Sequence, residues 1–441
     1  QSETRRKKMK KLFAILMSVL MIACFMPTMA FADGEDTPAA GEESKNPVAQ
    51  VGDQTYASLS AAVEAVETNG TATITLLKDA TEDITISANK KVTLNLNGKK
   101  LTNSSNDTIT VANGAELTIE GAGTVNNGTH AKAAIFNNGT VVLNGGTYDR
   151  SAEAGTSASV SGKNSYYTIV NHGTMTINEA AKVQTAGGDT EKGKFSSLVE
   201  NGYYNYSSKE PRSGYVEGTN QEKPTLTING GTFLGGLNTI KNDDGGRITI
   251  KDGNFSNFYQ ALVQNHNIAT IEGGTFTAAE GSDQTTYGVY NCGCVAVHDI
   301  GELTISGGTF TADYALGEVS TQAANVTISG GVFNGKKAAI GKSVDCKANF
   351  VINGGTYSSS PKNVVGNAVF KVSDTKFMVA TDDAKPAGYY WTAVEGEAWD
   401  YEGTAITYTP YVPTDNVTNQ SENTATGTPA TTTADINAST T

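Results

Sequence analysis

Between residues 70 and 375, apolar and polar side chains alternate in short runs, and each run closes on a small turn followed by an aromatic residue. The pattern is clearest in Leu226-Thr227-Ile228-Asn229-Gly230-Gly231-Thr232-Phe233. It returns at 142–148, 248–255, 271–276, 303–310, 326–333 and 351–357. With the first turn residue as marker, and Glu179 and Asp252 admitted in place of Gly, successive markers fall at 98, 121, 145, 179, 230, 252, 273, 307, 330 and 354. Most steps are 21–24 residues, and the longer ones, which end at 179, 230 and 307, read as the same unit carrying insertions. Alternation with period two predicts strands whose side chains point in and out by turns. So short a unit has no room for a crossover helix. Successive strands must therefore stack by coiling, each turn burying its inward residues against the turns above and below. Ten markers at a strand spacing of about 4.8 Å predict a rod roughly 45–55 Å long.

A second series supports this reading. Eight residues before the marker stands Asn113, Asn137, Asn171, Asn265 or Asp299, preceded two places earlier by Val111, Ile135, Ile169, Val263 or Val297. Asn and Asp tolerate the left-handed backbone conformation, which predicts a bend between two strands of one coil. Amides stacked there would bond from coil to coil. The aromatics Tyr148, Phe233, Phe255, Phe276, Phe310, Phe333 and Tyr357 are expected to form an internal column in the same way.

These residues together resemble the right-handed parallel β-helix of the pectate-lyase-like superfamily, in particular the repetitive surface proteins found among exported bacterial chains. The resemblance covers roughly residues 70–375 and is specific for fold, not for activity. It implies a three-faced coil with an Asn-bearing bend. The expected architecture is an all-β, single-stranded, right-handed parallel β-helix of about 11 coils with a short N-terminal helical cap. That cap is read at residues 56–66, where Leu59, Ala62, Val63 and Val66 keep helical spacing after Ser58.

Composition sharpens the picture at the ends. Gly contributes 48 of 441 residues and only 17 % are charged, which excludes a helical bundle. Residues 1–32 read as a leader and export signal: a basic start from Arg5 to Lys11, an apolar run from Leu12 to Cys24, and Ala30-Phe31-Ala32 before cleavage at Asp33. The apolar run is too short for a comfortable membrane span. An N-terminal segment with the cap follows at 33–69, then the β-helix at 70–375, a closing segment at 376–413, and a disordered Thr-rich stalk at 414–441. The signal predicts a secreted or cell-surface protein. A formal charge of −13 disfavours nucleic acid and anionic lipid as partners. Cys292, Cys294 and Cys346 are too sparse for a zinc site and fit either a local disulfide or buried thiols.

Insertions on a rigid scaffold are where function tends to sit. The one between Asn201 and Pro224 carries Tyr203, Tyr204, Tyr206, Arg212 and Tyr215, which suit a polysaccharide, mucin or host surface glycan if exposed; alternatively the rings fold back on the coil. A lyase of this fold would need Ca²⁺-binding carboxylates with an Arg or Lys base, and a hydrolase would need clustered Asp. Only Asn242-Asp243-Asp244-Gly245-Gly246-Arg247 offers candidates, namely Asp243, Asp244 and Arg247, and it falls in the Asn-bearing bend where a turn variant is the simpler reading. His172, His266 and His298 sit in the same bend and are expected to face solvent. The sequence therefore favours a non-enzymatic adhesin or glycan-binding rod with no required cofactor. A polysaccharide lyase or glycoside hydrolase, with Ca²⁺ as its ion, is the alternative, and a structural spacer within a longer chain is a third reading.

Overall fold

The computed structural model describes residues 46–411 except 130, 152–166, 189–195, 204–222, 258, 281–284, 294–299, 343–345, 353–354, 360–367, 374–375, 381–389 and 394–407, all within the unit formed by residues 43–441. The expected export signal and Thr-rich stalk, with Tyr204, Tyr206, Arg212, Tyr215, Cys294, His298 and Asp299, lie outside the described residues.

Two long sheets dominate, one of 13 strands and one of 19. Apart from an N-terminal hairpin, which also joins the first sheet antiparallel, the strand pairings of both among the described residues are parallel, as a β-solenoid requires. Most coils contribute three strands in turn, and in two C-terminal coils the second and third merge into single long strands, Thr309–Glu318 and Val332–Lys342. Around Phe233, for example, Thr225–Ile228 lies in the first sheet, while Thr232–Leu234 and Asn238–Asn242 form two separate ladders of the second. Inward positions stack in register, as in Ile119, Leu143, Ile177 and Ile228, all fully buried. Each such side chain contributes about 1.5–3 kcal/mol by leaving water.

The aromatic column forms in the second ladder. Ring centroids from Phe233 through Phe255, Phe276 and Phe310 to Phe333 are spaced 4.6, 4.5, 4.7 and 5.1 Å, nearly parallel. Tyr148 belongs to the same register but is separated from Phe233 by Val183, so the column is not continuous to its N-terminal member. Tyr148 instead donates its hydroxyl to the Gly145 carbonyl at 2.7 Å, and burial pushes its pKa well above the usual phenol value.

Both glycines of the turn are required, for different reasons. At Gly307 a Cβ would lie 2.1 Å from the Glu272 carbonyl oxygen of the preceding coil, so the first Gly permits the coils to approach. At Gly308 the backbone has φ +95°, which L side chains rarely adopt.

The helical cap is Leu59–Ala65, and Ser58 accepts a hydrogen bond from Ala61 N at its start. Tyr56 is not part of it: Gln54–Tyr56 is the second strand of the hairpin, whose first strand, Ala49–Val51, pairs antiparallel with Thr71–Leu76 and covers the open edge of the first sheet. The first coils fix the helix at both ends. Glu82 accepts from Leu59 N and Ser60 N, and Lys90 Nζ donates to the Val63 and Glu64 carbonyls, which places each charge where the helix dipole favours it. At the other end the parallel pairing runs to Thr356–Ser359, and strands from Ala368 to Tyr411 form a four-stranded antiparallel sheet.

Candidate functional site

The bend after the third ladder is where the sequence located its chemistry, and its first task is structural. Asn137, Asn171, Asn201, Asn242, Asn265 and Asn291 stack in register, each buried. Each Nδ2 donates to the Oδ1 of the next, at 2.7–2.8 Å, and also to a backbone carbonyl of the neighbouring coil. The last amide, Asn291, donates to Glu318 Oε2 at 2.6 Å, while Glu318 Oε1 accepts from Ser320 N at 2.8 Å. A carboxylate thus ends the series, and burial raises its pKa to about 7.

The membership differs from expectation. Asn113 is not a rung, because Val111 is the residue that pairs with Asn137. The rung expected near Asp299 is Asn291. Asn201, Asn242 and Glu318 were not anticipated, although Asn242 was in view as part of the Asp-rich turn.

Outward positions on the third ladder run Val170, Glu200, Lys241 and Gln264 in register. Glu200 and Lys241 are buried, at 1 % and 4 % exposure, although they point away from the coil interior. Lys241 Nζ lies 3.1 Å from Asp243 Oδ2 and donates to the Tyr167 hydroxyl at 3.5 Å. Asp243 and Asp244 are likewise buried, and the Asp244 carbonyl accepts from Tyr203 N at 2.9 Å. Tyr203 folds back on the coil, the second of its two alternatives, and its ring stacks on His172 at 4.4 Å, so His172 is buried where solvent exposure was expected. His266 is half-buried. Arg247 is exposed at the start of the first-sheet strand Arg247–Ile250. Of the three catalytic candidates, Asp243 is tied in a buried ion pair, Asp244 is buried next to it in the chain, and Arg247 is at the surface.

The first sheet presents a different kind of surface. From Thr73 to Thr327 the middle outward position of successive strands is threonine, save at Val142. In its central coils Thr225 donates its hydroxyl to Thr174 at 3.3 Å, and Asn229, Asn178 and Asn144 form a second, shorter amide ladder at 2.7–2.8 Å.

Comparison with known proteins adds no constraint: no family model, no curated protein and no solved structure matches the chain. Among the described residues, no group of three or more His, Cys, Asp or Glu side chains stands together as a metal site. Cys292 is buried directly after Asn291, whereas Cys346 is half-buried against the core. Among the described residues no helix is long and apolar enough to cross a membrane.

Proposed function

We propose that the chain is an exported, non-enzymatic surface protein, an adhesin or glycan-binding protein built on a right-handed, single-stranded β-helix of about 11 coils. The handedness follows the general preference of parallel strand connections, and the coil number follows the 13-stranded sheet less its two antiparallel members. The observation that carries the functional reading is the fate of the charged turn. Asp243 is committed to Lys241 and buried, whereas Arg247 is exposed in another strand. Regular outward rows of hydroxyl and amide groups suit recognition of a repeating polar polymer on a host or cell surface. Binding of the full chain to a panel of mucins, cell-wall polymers and neutral polysaccharides tests this reading, and absence of binding to every member would overturn it.

A polysaccharide lyase or hydrolase is the second reading, because Glu200 of one coil stands in register with Lys241 of the next, which pairs with Asp243 beside Asp244. Release of unsaturated product from polygalacturonate with Ca²⁺, lost in Asp244→Asn, would replace the first reading with this one.

A further inference from the structure

In the central coils of the first sheet the strand positions combine order with an absence of charge, the nearest charges being exposed Glu179 in the turn after Asn178 and exposed Lys223 before Thr225. Strands Thr140–Leu143, Thr174–Ile177 and Thr225–Ile228, with the Asn that follows each, present Thr, Val and Asn outward and no ionisable group. The coils on either side carry charge at the same registers. Glu116 precedes Thr140 and Arg247 follows Thr225 on one edge; the corresponding positions on the other edge are Glu120 before Asn144 and Lys251 after Asn229. A neutral window of strand positions is thus framed by charge, in the coils on either side and in the turns at Glu179 and Lys223, in a chain of net charge −13.

The side chains in this window are held before any ligand arrives. The Asn144, Asn178 and Asn229 amides are bonded to one another, the Thr174 and Thr225 hydroxyls touch, and β-branched Thr has few rotamers to lose. Preorganisation of this kind lowers the ordering cost of binding. The outward residues alternate methyl with hydroxyl and repeat once per strand spacing, about 4.8 Å. That interval is comparable to the length of one pyranose ring in an extended chain. Sugar rings offer the matching chemistry, apolar C–H faces beside hydroxyls that both donate and accept. An acidic polymer finds no cation at the strand positions themselves and is repelled by the net charge of the chain.

From this we infer that the neutral Thr/Asn window of the first sheet is a binding surface for an extended, uncharged polysaccharide. The inference deepens the glycan-binding reading and rests on it. It moves the site from the tyrosine-bearing insertion to the sheet face.

The test is affinity electrophoresis of the full chain through a mixed-linkage β-glucan, a mannan and polygalacturonate, with three variants. Thr176→Glu/Thr227→Glu places charge in the window. Thr176→Val/Thr227→Val keeps the strand preference and the methyls but removes the hydroxyls. The third variant replaces residues 204–222 with a Gly-Ser linker. The expected result is retardation by a neutral polymer that weakens about tenfold or more in the Glu variant, weakens less in the Val variant, and persists in the linker variant. Unchanged far-UV circular dichroism and melting of the Glu variant establish that the fold survives; if it does not, the Val variant carries the test. Binding to a neutral polymer that is unaffected by either Thr variant overturns the inference and leaves the glycan-binding reading intact, as does binding lost only in the linker variant. Retention by polygalacturonate alone overturns the inference. Retention by none of the three polymers overturns it as well, and the wider panel then decides the reading beneath it.

Discussion

Glu318 gives the most direct energetic test of how the coils are held together. Its carboxyl is buried at the end of the amide ladder and titrates at about 7 instead of 4.5, chiefly because burial disfavours the charged form. Hydrogen bonds from Ser320 and Asn291 oppose that shift without cancelling it. Between pH 4.5 and 7 the unfolded chain has released this proton while the folded chain retains it. The unfolded state then binds fewer protons, and stability falls as pH rises. At about 1.4 kcal/mol for each pKa unit, this site removes about 3 kcal/mol between pH 4 and pH 8. Glu318→Asn would continue the ladder, with Oδ1 accepting from Asn291 Nδ2 and Ser320 N just as the other rungs accept. It forfeits one buried methylene, about 1 kcal/mol. The variant should thus be about 2 kcal/mol more stable than the native chain at pH 8 and about 1 kcal/mol less stable at pH 4. Coils of a solenoid can open separately, so the assay should be local. We would follow amide exchange by mass spectrometry in peptides covering 287–320 at several pH values, corrected for intrinsic exchange. Native protection that does not decline from pH 4 to pH 8, or an Asn variant with the same pH profile as the native chain, would refute the reasoning.

Three further outcomes follow from packing. Phe276→Ala removes a fully buried ring stacked on both sides, and should cost about 3–5 kcal/mol, read as lost exchange protection in strands 254–257 and 309–318. Gly307→Ala forces a Cβ against the Glu272 carbonyl oxygen, whereas Gly98→Ala, at φ +72° with nothing within 4 Å, meets only backbone strain; thermal melting should show the first to be clearly worse, the second costing about 1–2 kcal/mol. Asn242→Asp puts a carboxylate where Nδ2 donates to Asn265 Oδ1 and to the Ile268 carbonyl, and should destabilise by at least about 3 kcal/mol at pH 7 in urea unfolding, with partial recovery at pH 4 as the group protonates.

The repeat was legible because its two constraints are local. Strand alternation and the Gly-Gly turn act within eight residues, and each copy carries both whatever its neighbours do. The Asn ladder was legible only where the loop after it is short. From Asn137 to Thr140, Asn171 to Thr174 and Asn265 to Ile268 the strand resumes after three residues, so counting back a fixed distance from the next turn finds the rung. From Val111 to Glu116 the interval is five residues and the count lands on Asn113; from Asn291 to Glu302 it is eleven and the count lands on Asp299. Register belongs to pairing between coils, and a sequence read one coil at a time does not contain it.

The same separation explains why the surroundings of the charged candidates and the neutral face were not legible in the sequence. Asp243 and Asp244 stand out in a sequence with few charges, and local spacing says nothing about Lys241 two residues earlier turning to meet one of them. Threonine in strand after strand reads one copy at a time as ordinary β-propensity. It becomes a surface only when parallel pairing sets Thr176 over Thr227 and Asn178 over Asn229, so that one residue choice, repeated at the coil period, becomes a column. In a solenoid a lone charged residue acts within its own turn, whereas an outward position repeated without charge adds area with every coil. Recognition of a long uncharged polymer is therefore a function this architecture can build from residues that look, individually, like filler.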